Sequence, residues 1–307
     1  MDIKQLTYFL HVADAGSFNQ AAARIGIAQP ALSRQVVQLE RELNVQLFER
    51  DARGVRLTDA GRSFELKARD LLRRVDEITA EMRAGSEQPS GTLTVGVPQS
   101  LRSMLVLGAV EEFSSAHPGV FLRIVEDTTA ALRQSIALRQ ADLAVLSTVE
   151  PESTLATLPL LSERMFLVGP RQAALDPATE TPIGALARLP LIQLGYPNAL
   201  RALLETALAR KKIRADVRFE TNTLLMLDMA IRGLGYTVLP YCAIDEVLRA
   251  GRVTASPVSG LRISWVLAHS RELPLSPAAR EFVRIVRERV ASLVAQRRWQ
   301  TASIDFS

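Results

Sequence analysis

Three polar side chains lie within six residues of one another, and their types suit contacts with the edges of nucleic-acid bases. Gln29, Ser33 and Arg34 belong to the segment from Ser17 to Leu43, in which a second helix is predicted to start near Pro30. Amides and hydroxyls can donate or accept hydrogen bonds, and a guanidinium forms paired hydrogen bonds with a base edge or a phosphate. On the first two turns of a helix these side chains would face a major groove. The segment therefore predicts a recognition helix.

Two short helices joined by a tight turn have to position these side chains. Ser17 can cap the first helix, and Gln20 can complete a capping box. Gly26 supplies the turn, and Pro30 can occupy the first position of the second helix. The apolar stripe predicted for the second helix consists of Leu32, Val36, Leu39 and Leu43. An ordinary amphipathic helical hairpin with solvated polar residues is the alternative interpretation.

The segment from Leu47 to Gly61 has the features of a basic β-hairpin. Two short runs flank a turn signal at Arg53, with Arg50 before it and Arg56 after it. Arg remains charged and binds phosphate in a bidentate manner. Such a hairpin, or wing, would grip the DNA backbone beside the recognition helix.

Composition and charge restrict the class of protein. The chain has 307 residues, a net charge of +4 and a pI near 9.6, which permits nucleic-acid binding without requiring it. Residues 1–88 contain 13 Lys and Arg against 13 Asp and Glu, so the placement of the basic residues has to matter more than their number. We expect a cytoplasmic protein without a membrane partner, because there is one cysteine, no signal peptide and no membrane-length apolar run.

The segment from Asp59 to Arg83 is predicted to form a long helix capped by Thr58. Its apolar residues alternate steps of four and three, as in a coiled-coil seam. The seam consists of Phe64, Ala68, Leu71, Val75, Ile78 and Met82. Dimerisation with the same helix of a second copy is the favoured interpretation, and packing on its own domain is the alternative. The polar stretch from Ala84 to Gly91 then predicts a linker.

From residue 91 onward, strand-like runs alternate with helical patterns, which favours an α/β fold with mostly parallel sheets. The predicted strands are Thr92–Val97, Val120–Val125, Leu143–Leu146, Met165–Val168, Leu191–Leu194, Val217–Thr221, Tyr236–Leu239 and Ile263–Ala268. The predicted helices are Leu101–Ala116, Ala130–Gln140, Leu200–Lys212, Leu224–Arg232 and Ala278–Arg298. The polar tail from Thr301 to Ser307 is predicted to be loose.

Small hydroxyl and amide side chains follow several predicted strands, at the edge where open α/β sheets bind ligands. Ser100 could cap a helix whose free N–H groups hold an anion, although simple helix capping can explain each such residue. No phosphate loop, dinucleotide fingerprint or nucleophile elbow is present, and the three histidines are far apart. Cys242 suits a buried apolar role. We therefore predict neither an enzyme nor a metal site. A solute-binding transport component and an enzyme with a small polar pocket are the alternatives.

The segment from Ala21 to Gly61 resembles the N-terminal signature of the bacterial LysR-type transcriptional regulators, and the resemblance extends to GLGYTVLP at Gly233 to Pro240. It implies a multidomain protein with an all-α winged helix-turn-helix domain (1–62), a long linker and dimerisation helix with its hinge (63–90), and an α/β effector domain (91–307). The effector domain would comprise two Rossmann-like subdomains, similar to type II periplasmic binding proteins, at 91–161 with 268–300 and at 162–267. The implied function is sequence-specific transcription regulation controlled by a small-molecule effector bound in the cleft.

The resemblance also implies roles for individual residues. Gln29, Pro30, Ser33 and Arg34 would meet the major groove, and Arg50, Arg53 and Arg56 the flanking backbone or minor groove. The effector would contact Gln99, Ser100, Thr128, Ser147, Gln193, Tyr196 and Thr221. The implied partners are double-stranded DNA with a dyad-symmetric promoter site, the effector in place of any cofactor, and further copies of the chain as a dimer and tetramer; RNA polymerase is a further candidate. One departure is Ala28, where a Ser or Thr cap is common, and its loss would cost about 1 kcal/mol of helix stability.

Overall fold

The computed structural model describes residues 1–51, 54–83, 89–148 and 155–304. The chain divides into two compact units, Met1–Gly91 with Leu138–Gln140 and Thr92–Ala137 with Ala141–Ser307. Buried apolar side chains form separate cores in the two units. Each unit therefore has its own source of stability.

Among its described residues, the first unit consists of four helices and one β-hairpin. In chain order they are α1 (Ile3–Ala15), α2 (Phe18–Ile25), α3 (Gln29–Leu43), β1 (Phe48–Asp51), β2 (Gly54–Leu57) and α4 (Asp59–Arg83). The predicted two-helix corner is confirmed, with Gly26 in the left-handed region at φ 70° between α2 and α3. The predicted wing is also confirmed, because β1 pairs antiparallel with β2.

Side-chain caps begin the first two helices. The Ser17 hydroxyl accepts a hydrogen bond from the Gln20 N–H at 3.4 Å and so caps α2 as predicted. A complete capping box lies on α1 instead, where Asp2 and Gln5 each bond the other's backbone N–H.

The next two helices begin differently from each other. α3 starts at Gln29, one residue before the predicted start, and its N-cap residue Ala28 makes no side-chain hydrogen bond. At the start of α4, the Thr58 hydroxyl accepts a hydrogen bond from the Gly61 N–H at 2.9 Å, which confirms the predicted cap.

Aromatic rings fill the core of the first unit. The ring centroid of Phe9 lies 5.2 Å from that of Phe48 and 5.0 Å from that of Phe64. Aromatic pairs of this kind contribute about 0.5–1.5 kcal/mol beyond the area they bury. The stripe predicted for α3 is confirmed, with three buried members and one partly buried member: Leu32, Val36, Leu39 and Leu43.

The first turns of α4 pack within their own unit. Phe64 contacts Phe9 edge to face, and Ala68 is buried in the same core. For these two residues the structure corrects the predicted dimer contact and supports the alternative, packing on their own domain. The physical reason is that the three preceding helices leave an open apolar face, which α4 covers.

The later seam positions differ. Leu71 and Ile78 remain 42% and 58% exposed, and Val75 is partly buried. The side chain of Met82 lies outside the described part of the structure, as do residues 84–88 of the predicted linker. Among the described side chains of α4, Leu71 and Ile78 are therefore the large apolar ones that remain exposed.

The second unit contains a six-stranded sheet and a separate two-stranded sheet among its described residues. The strands are β3 (Gly91–Val97), β4 (Val120–Glu126), β5 (Leu143–Thr148), β6 (Leu155–Pro170), β7 (Pro190–Leu194), β8 (Asp216–Thr221), β9 (Thr237–Pro240) and β10 (Val253–Ser270). The helices are α5 (Leu107–Ala116), α6 (Thr129–Ala137), α7 (Ala199–Arg210), α8 (Thr223–Ile231), α9 (Tyr241–Arg249) and α10 (Pro277–Ala295). The larger sheet has the order β4-β3-β5-β10-β6-β9, and the smaller one pairs β7 with β8.

The prediction of mostly parallel sheets is wrong for the larger sheet. β3 and β5 run parallel, but β10 is antiparallel to both β5 and β6, and β6 is antiparallel to β9. β6 and β10 are 16 and 18 residues long and pair with each other along most of their length. The sequence pattern marked only a short part of each strand, because a pairing partner far away in sequence leaves no local signal.

One helix is missing from the predicted set, and one expectation needs correction. The missing helix is α9, which packs on the larger sheet. The tail is not loose at Ser303, which exchanges two backbone hydrogen bonds of 2.8 Å with Ser162 of β6. Residues 305–307 of the tail lie outside the described residues.

Gly61 allows a close approach between α4 and the wing, which gives a test of this fold. A Cβ at this position would overlap the backbone carbonyl of Leu47. Helix propensity alone favours Ala over Gly by about 1 kcal/mol, but so close an overlap with backbone costs about 2–3 kcal/mol, the upper part of the range for overpacking. We expect Gly61→Ala to lower the free energy of unfolding of the first unit, measured by urea denaturation with far-UV circular dichroism.

Gly184→Ala is the matched control, since open space surrounds this position and its backbone is not left-handed. The control should leave the unfolding curve unchanged within about 0.5 kcal/mol. Equal stability of Gly61→Ala and the native protein would show that α4 does not approach Leu47 as described.

Candidate functional site

The polar face of α3 is available at the surface of the first unit. Arg34 and Pro30 are exposed, and Gln29 and Ser33 are half-buried. The Arg34 guanidinium forms no ion pair or hydrogen bond with the described residues. An uncompensated guanidinium near the start of a helix, where the dipole is positive, suits an anionic or hydrogen-bonding partner.

The wing presents one described arginine side chain. Arg56 is exposed on β2, opposite Glu49 in the β1–β2 register. Arg53 and the side chain of Arg50 lie outside the described residues, so their predicted contacts stay predictions.

An acidic residue, which sequence reasoning missed, attaches the wing to α3. The Glu40 carboxylate accepts hydrogen bonds from the N–H groups of Leu47 at 2.7 Å and Phe48 at 3.1 Å. The N–H of Val55 in β2 also donates to the carbonyl of Gly16 at 3.0 Å. Hydrogen bonds to a charged group contribute about 1.5–3 kcal/mol. The wing is therefore held at a fixed distance from the exposed face of α3.

The second unit contains a cleft of about 440 Å³ where the ends of strands meet the starts of helices. Six of the predicted effector residues line it: Gln99, Ser100, Thr128, Ser147, Tyr196 and Thr221. The remaining lining residues are Pro98, Glu126, Asp127, Thr129, Leu194, Gly195, Pro197, Asn198, Ala199, Leu200, Asn222, Thr223 and Trp265. The rule that ligands bind beyond strand ends thus located the cleft correctly.

Gln193 does not line the cleft, which corrects its predicted role. Its side chain is buried, and its Oε1 atom has no hydrogen-bond partner among the described residues. Successive side chains of a strand point to opposite faces, so Gln193 points away from the face where Leu194 lines the cleft.

Hydroxyl groups on one wall differ in their availability. The Thr129 and Ser147 hydroxyls lie 2.9 Å apart and bond to each other. The Ser100 side chain is only 5% exposed and makes no hydrogen bond with the described residues. The hydroxyl itself is not fully buried, so it can offer a hydrogen bond to a ligand atom in the cleft.

Three helices begin at the cleft, and each has a side-chain cap. Thr128, Asn198 and Asn222 place an oxygen 3.3, 2.9 and 3.0 Å from a backbone N–H of α6, α7 and α8 respectively. The capping interpretation is therefore correct for Thr128. Capping leaves other first-turn N–H groups free, and each helix start carries a partial charge of roughly +0.5.

The charged side chains of the cleft are acidic. Glu126 and Asp127 line it, and the lining includes no Lys or Arg among the described residues. The nearby Arg201 guanidinium stacks 3.7 Å from the ring of Tyr196 and pairs with Glu205 at 2.8 Å, so its charge is already compensated. Positive potential in the cleft comes from helix starts rather than from side chains.

Trp265 contributes to the cleft wall from β10, and sequence reasoning missed it. Its indole N–H donates to Glu163, a carboxyl group that is fully buried, at 2.7 Å. A Trp inside a strand pattern normally indicates core packing, so no local signal marks it as a cleft residue.

The described residues include no group of His, Cys, Asp and Glu that could hold a metal ion. Burial raises the pKa of the Cys242 thiol well above its ordinary value, which makes the reactive thiolate scarce. None of the described helices is both long and apolar enough to cross a membrane.

Comparisons with known families cover both units. Residues 3–62 match the family described as bacterial regulatory helix-turn-helix protein, lysR family. Residues 86–291 match the LysR substrate binding domain.

Individual proteins give the same result over almost the whole chain. The nitrogen assimilation regulatory protein nac of Escherichia coli is 30% identical over 308 residues, which cover 99% of this chain and 100% of that protein. The structure of a full-length OxyR variant from Pseudomonas aeruginosa has a TM-score of 0.73 at 25% identity, covering 94% of each chain. Full-length CbnR complexed with its target DNA has a TM-score of 0.69 at 20% identity, covering 94% of this chain and 100% of that one.

Proposed function

Because this chain belongs to the LysR family of DNA-binding transcriptional regulators, we propose which of its residues recognise DNA and effector. It is a regulator with an effector-binding domain rather than an enzyme. The proposed domain limits are 1–62 for DNA binding, 63–90 for the linker helix and hinge, and 91–307 for the effector.

The proposal for DNA recognition rests mainly on Arg34. It is exposed on the first turns of α3, has no partner among the described residues, and lies on the face opposite the buried stripe. Paired hydrogen bonds from Arg to guanine are the commonest specific base contact. In this proposal Gln29, Pro30 and Ser33 face neighbouring base edges, while Arg50, Arg53 and Arg56 of the wing bind flanking phosphates or the minor groove.

For the effector, we propose a small monocarboxylate bound in the cleft. Its carboxylate would accept hydrogen bonds from helix-start N–H groups and from the Ser100 hydroxyl, which lines the cleft and has no hydrogen-bond partner among the described residues. The helix starts supply roughly +1.5 charges in total. Glu126 and Asp127 would repel a second carboxylate and would favour a hydroxyl or ammonium group on the rest of the ligand.

We propose that α4 forms a dimer contact centred on Leu71 and Ile78. Large apolar side chains exposed on a helix that already covers its own core favour a second helix as partner. The effector domain also exposes Phe121 on β4, Phe219 on β8 and Leu225 on α8, which supports a second interface and a tetramer on a dyad-symmetric site.

RNA polymerase is a further proposed partner. Effector binding would change the closure of the cleft and so alter DNA binding.

The first test replaces Arg34 and measures the sequences that the full-length protein retains from random genomic fragments. The native protein should enrich a dyad-symmetric site. Arg34→Ala should weaken binding to that site by about 1–3 kcal/mol and binding to random DNA much less. Arg41→Ala is the control, since Arg41 is exposed on the last turn of the same helix. Equal losses on both kinds of DNA would make Arg34 a phosphate contact.

The second test combines Leu71→Glu with Ile78→Glu. Two charges in an apolar seam should convert the dimer contact into a repulsive one and lower the mass measured by sedimentation velocity at micromolar concentration. Ser63→Glu is the control, because Ser63 is exposed elsewhere on α4. An unchanged mass with unchanged helix content would exclude this face as the dimer contact.

The third test compares benzoate, benzamide and phthalate, which share one ring and differ in charge. Benzoate should raise the thermal midpoint most, because ligand binding stabilises the folded state. Ser100→Asp should weaken benzoate binding at least about tenfold, or 1.4 kcal/mol, and the exposed control Ser103→Asp should not. Preference for benzamide or phthalate, or indifference to Ser100→Asp, would overturn the monocarboxylate proposal.

A further inference from the structure

Glu163 lies on β6 with no exposed surface, and its carboxylate accepts three hydrogen bonds. Its Oε1 atom accepts from the indole N–H of Trp265 at 2.7 Å. Its Oε2 atom accepts from the indole N–H of Trp299 at 3.0 Å and from the backbone N–H of Cys242 at 3.1 Å. The two tryptophans of the chain therefore bond to the same carboxylate.

These donors come from three different elements of the effector domain. Trp265 belongs to the cleft wall on β10, Cys242 to the first turn of α9, and Trp299 to the segment that follows α10. Burial raises the pKa of the Glu163 carboxyl, and the three N–H donors together with the Cys242 thiol act against that rise. A buried acidic group is costly, so purely structural packing at this position would be served better by an apolar residue.

The C-terminal segment is fixed to β6 beside Glu163 a second time. Ser303 exchanges its backbone hydrogen bonds with Ser162, and the two hydroxyls lie 2.9 Å apart. Arg262 of β10 donates to both hydroxyls, at 2.8 and 3.0 Å. The segment from Trp299 to Ser303 thus joins the two long strands where Glu163 meets Trp265.

We propose that Glu163 is a positioning residue of the effector cleft: it fixes the buried indole of Trp265, a cleft-lining residue that is only 1% exposed, and links it to the C-terminal segment. That the position of Trp265 affects an effector rests on the proposed function; the positioning itself does not. The indole of Trp265 has a single hydrogen-bonding atom, so its partner sets the rotation of the ring. Trp299, outside the cleft lining, shares the carboxylate and thereby influences the wall.

The test uses full-length protein with ¹⁵N-labelled indole groups, observed by transverse-relaxation-optimised NMR. The native protein should give two downfield indole N–H signals that exchange slowly with D₂O. The signal that remains in Trp299→Phe is the one from Trp265. Glu163→Gln leaves one acceptor oxygen for three donors. It should move the Trp265 signal upfield and speed its exchange at least about tenfold, because an unpartnered buried N–H favours local opening.

Glu180→Gln is the matched control at an exposed carboxylate on the same unit, and it should leave both signals in place. An unchanged Trp265 signal and exchange rate in folded Glu163→Gln, even with a lower melting temperature, would overturn the proposal. If Glu163→Gln does not fold, the benzoate affinity of Trp299→Phe is compared with that of the native protein. The affinity of Trp299→Phe should be at least about threefold lower, roughly 0.65 kcal/mol, if the carboxylate links Trp299 to the cleft. Unchanged affinity would refute the link. Failure of the native protein to bind benzoate would count against the effector class alone, since the indole signals still report on Glu163.

Discussion

The effector domain depends on the pairing of β6 with β10. Their ladder runs from Leu155 opposite Ser270 to Pro170 opposite Val253, with an interruption between Pro257 and Arg262. β5 adds to one side of this pair and β9 to the other, so the rest of the large sheet is attached through it. Buried backbone groups need their partners, and the two strands therefore cannot slide past each other without losing many hydrogen bonds. The proposed change in cleft closure would therefore require this ladder, on which Glu163 and Trp265 lie, to bend or twist.

The seam of α4 shows how one sequence pattern can serve two contacts. A heptad repeat indicates which side chains share a face of the helix, but it does not indicate which partner covers that face. The first part of the seam covers its own domain, because Phe64 reaches Phe9 and Ala68 leaves room for close packing. The continuation at Leu71 and Ile78 is exposed, and the proposed dimer contact rests on these two side chains. A single helix can thus connect the packing of the DNA-binding domain to the assembly of the regulator.

Local chemistry explains what could be predicted from the sequence. The Gly26 turn and the Ser17 and Thr58 caps each act within a few residues, so the helix-turn-helix and its limits follow from nearby residues. The rule that ligands bind beyond strand ends likewise predicted Ser100 and Thr128, which line the cleft. Two features depend on contacts between residues distant in sequence, and no local pattern indicates them: the antiparallel pairing of β6 with β10, and the placement of Trp265 at the cleft.

The charge distribution of the DNA-binding domain suggests how its recognition works. Several of the acidic side chains in residues 1–88 bond within the fold, since Glu40 holds the wing and Asp14 and Glu65 pair with Arg69. Arg34 is left without such a partner on the exposed face of α3. The segment of residues 1–88, with 13 basic and 13 acidic side chains, attracts DNA weakly at long range, because the fields of opposite charges cancel beyond about one Debye length, roughly 8 Å at physiological salt. Most of its affinity then has to arise from short-range contacts at a fitting sequence. A nearly neutral segment that presents the exposed Arg34 is therefore better suited to discriminating between sites than to holding DNA of any sequence.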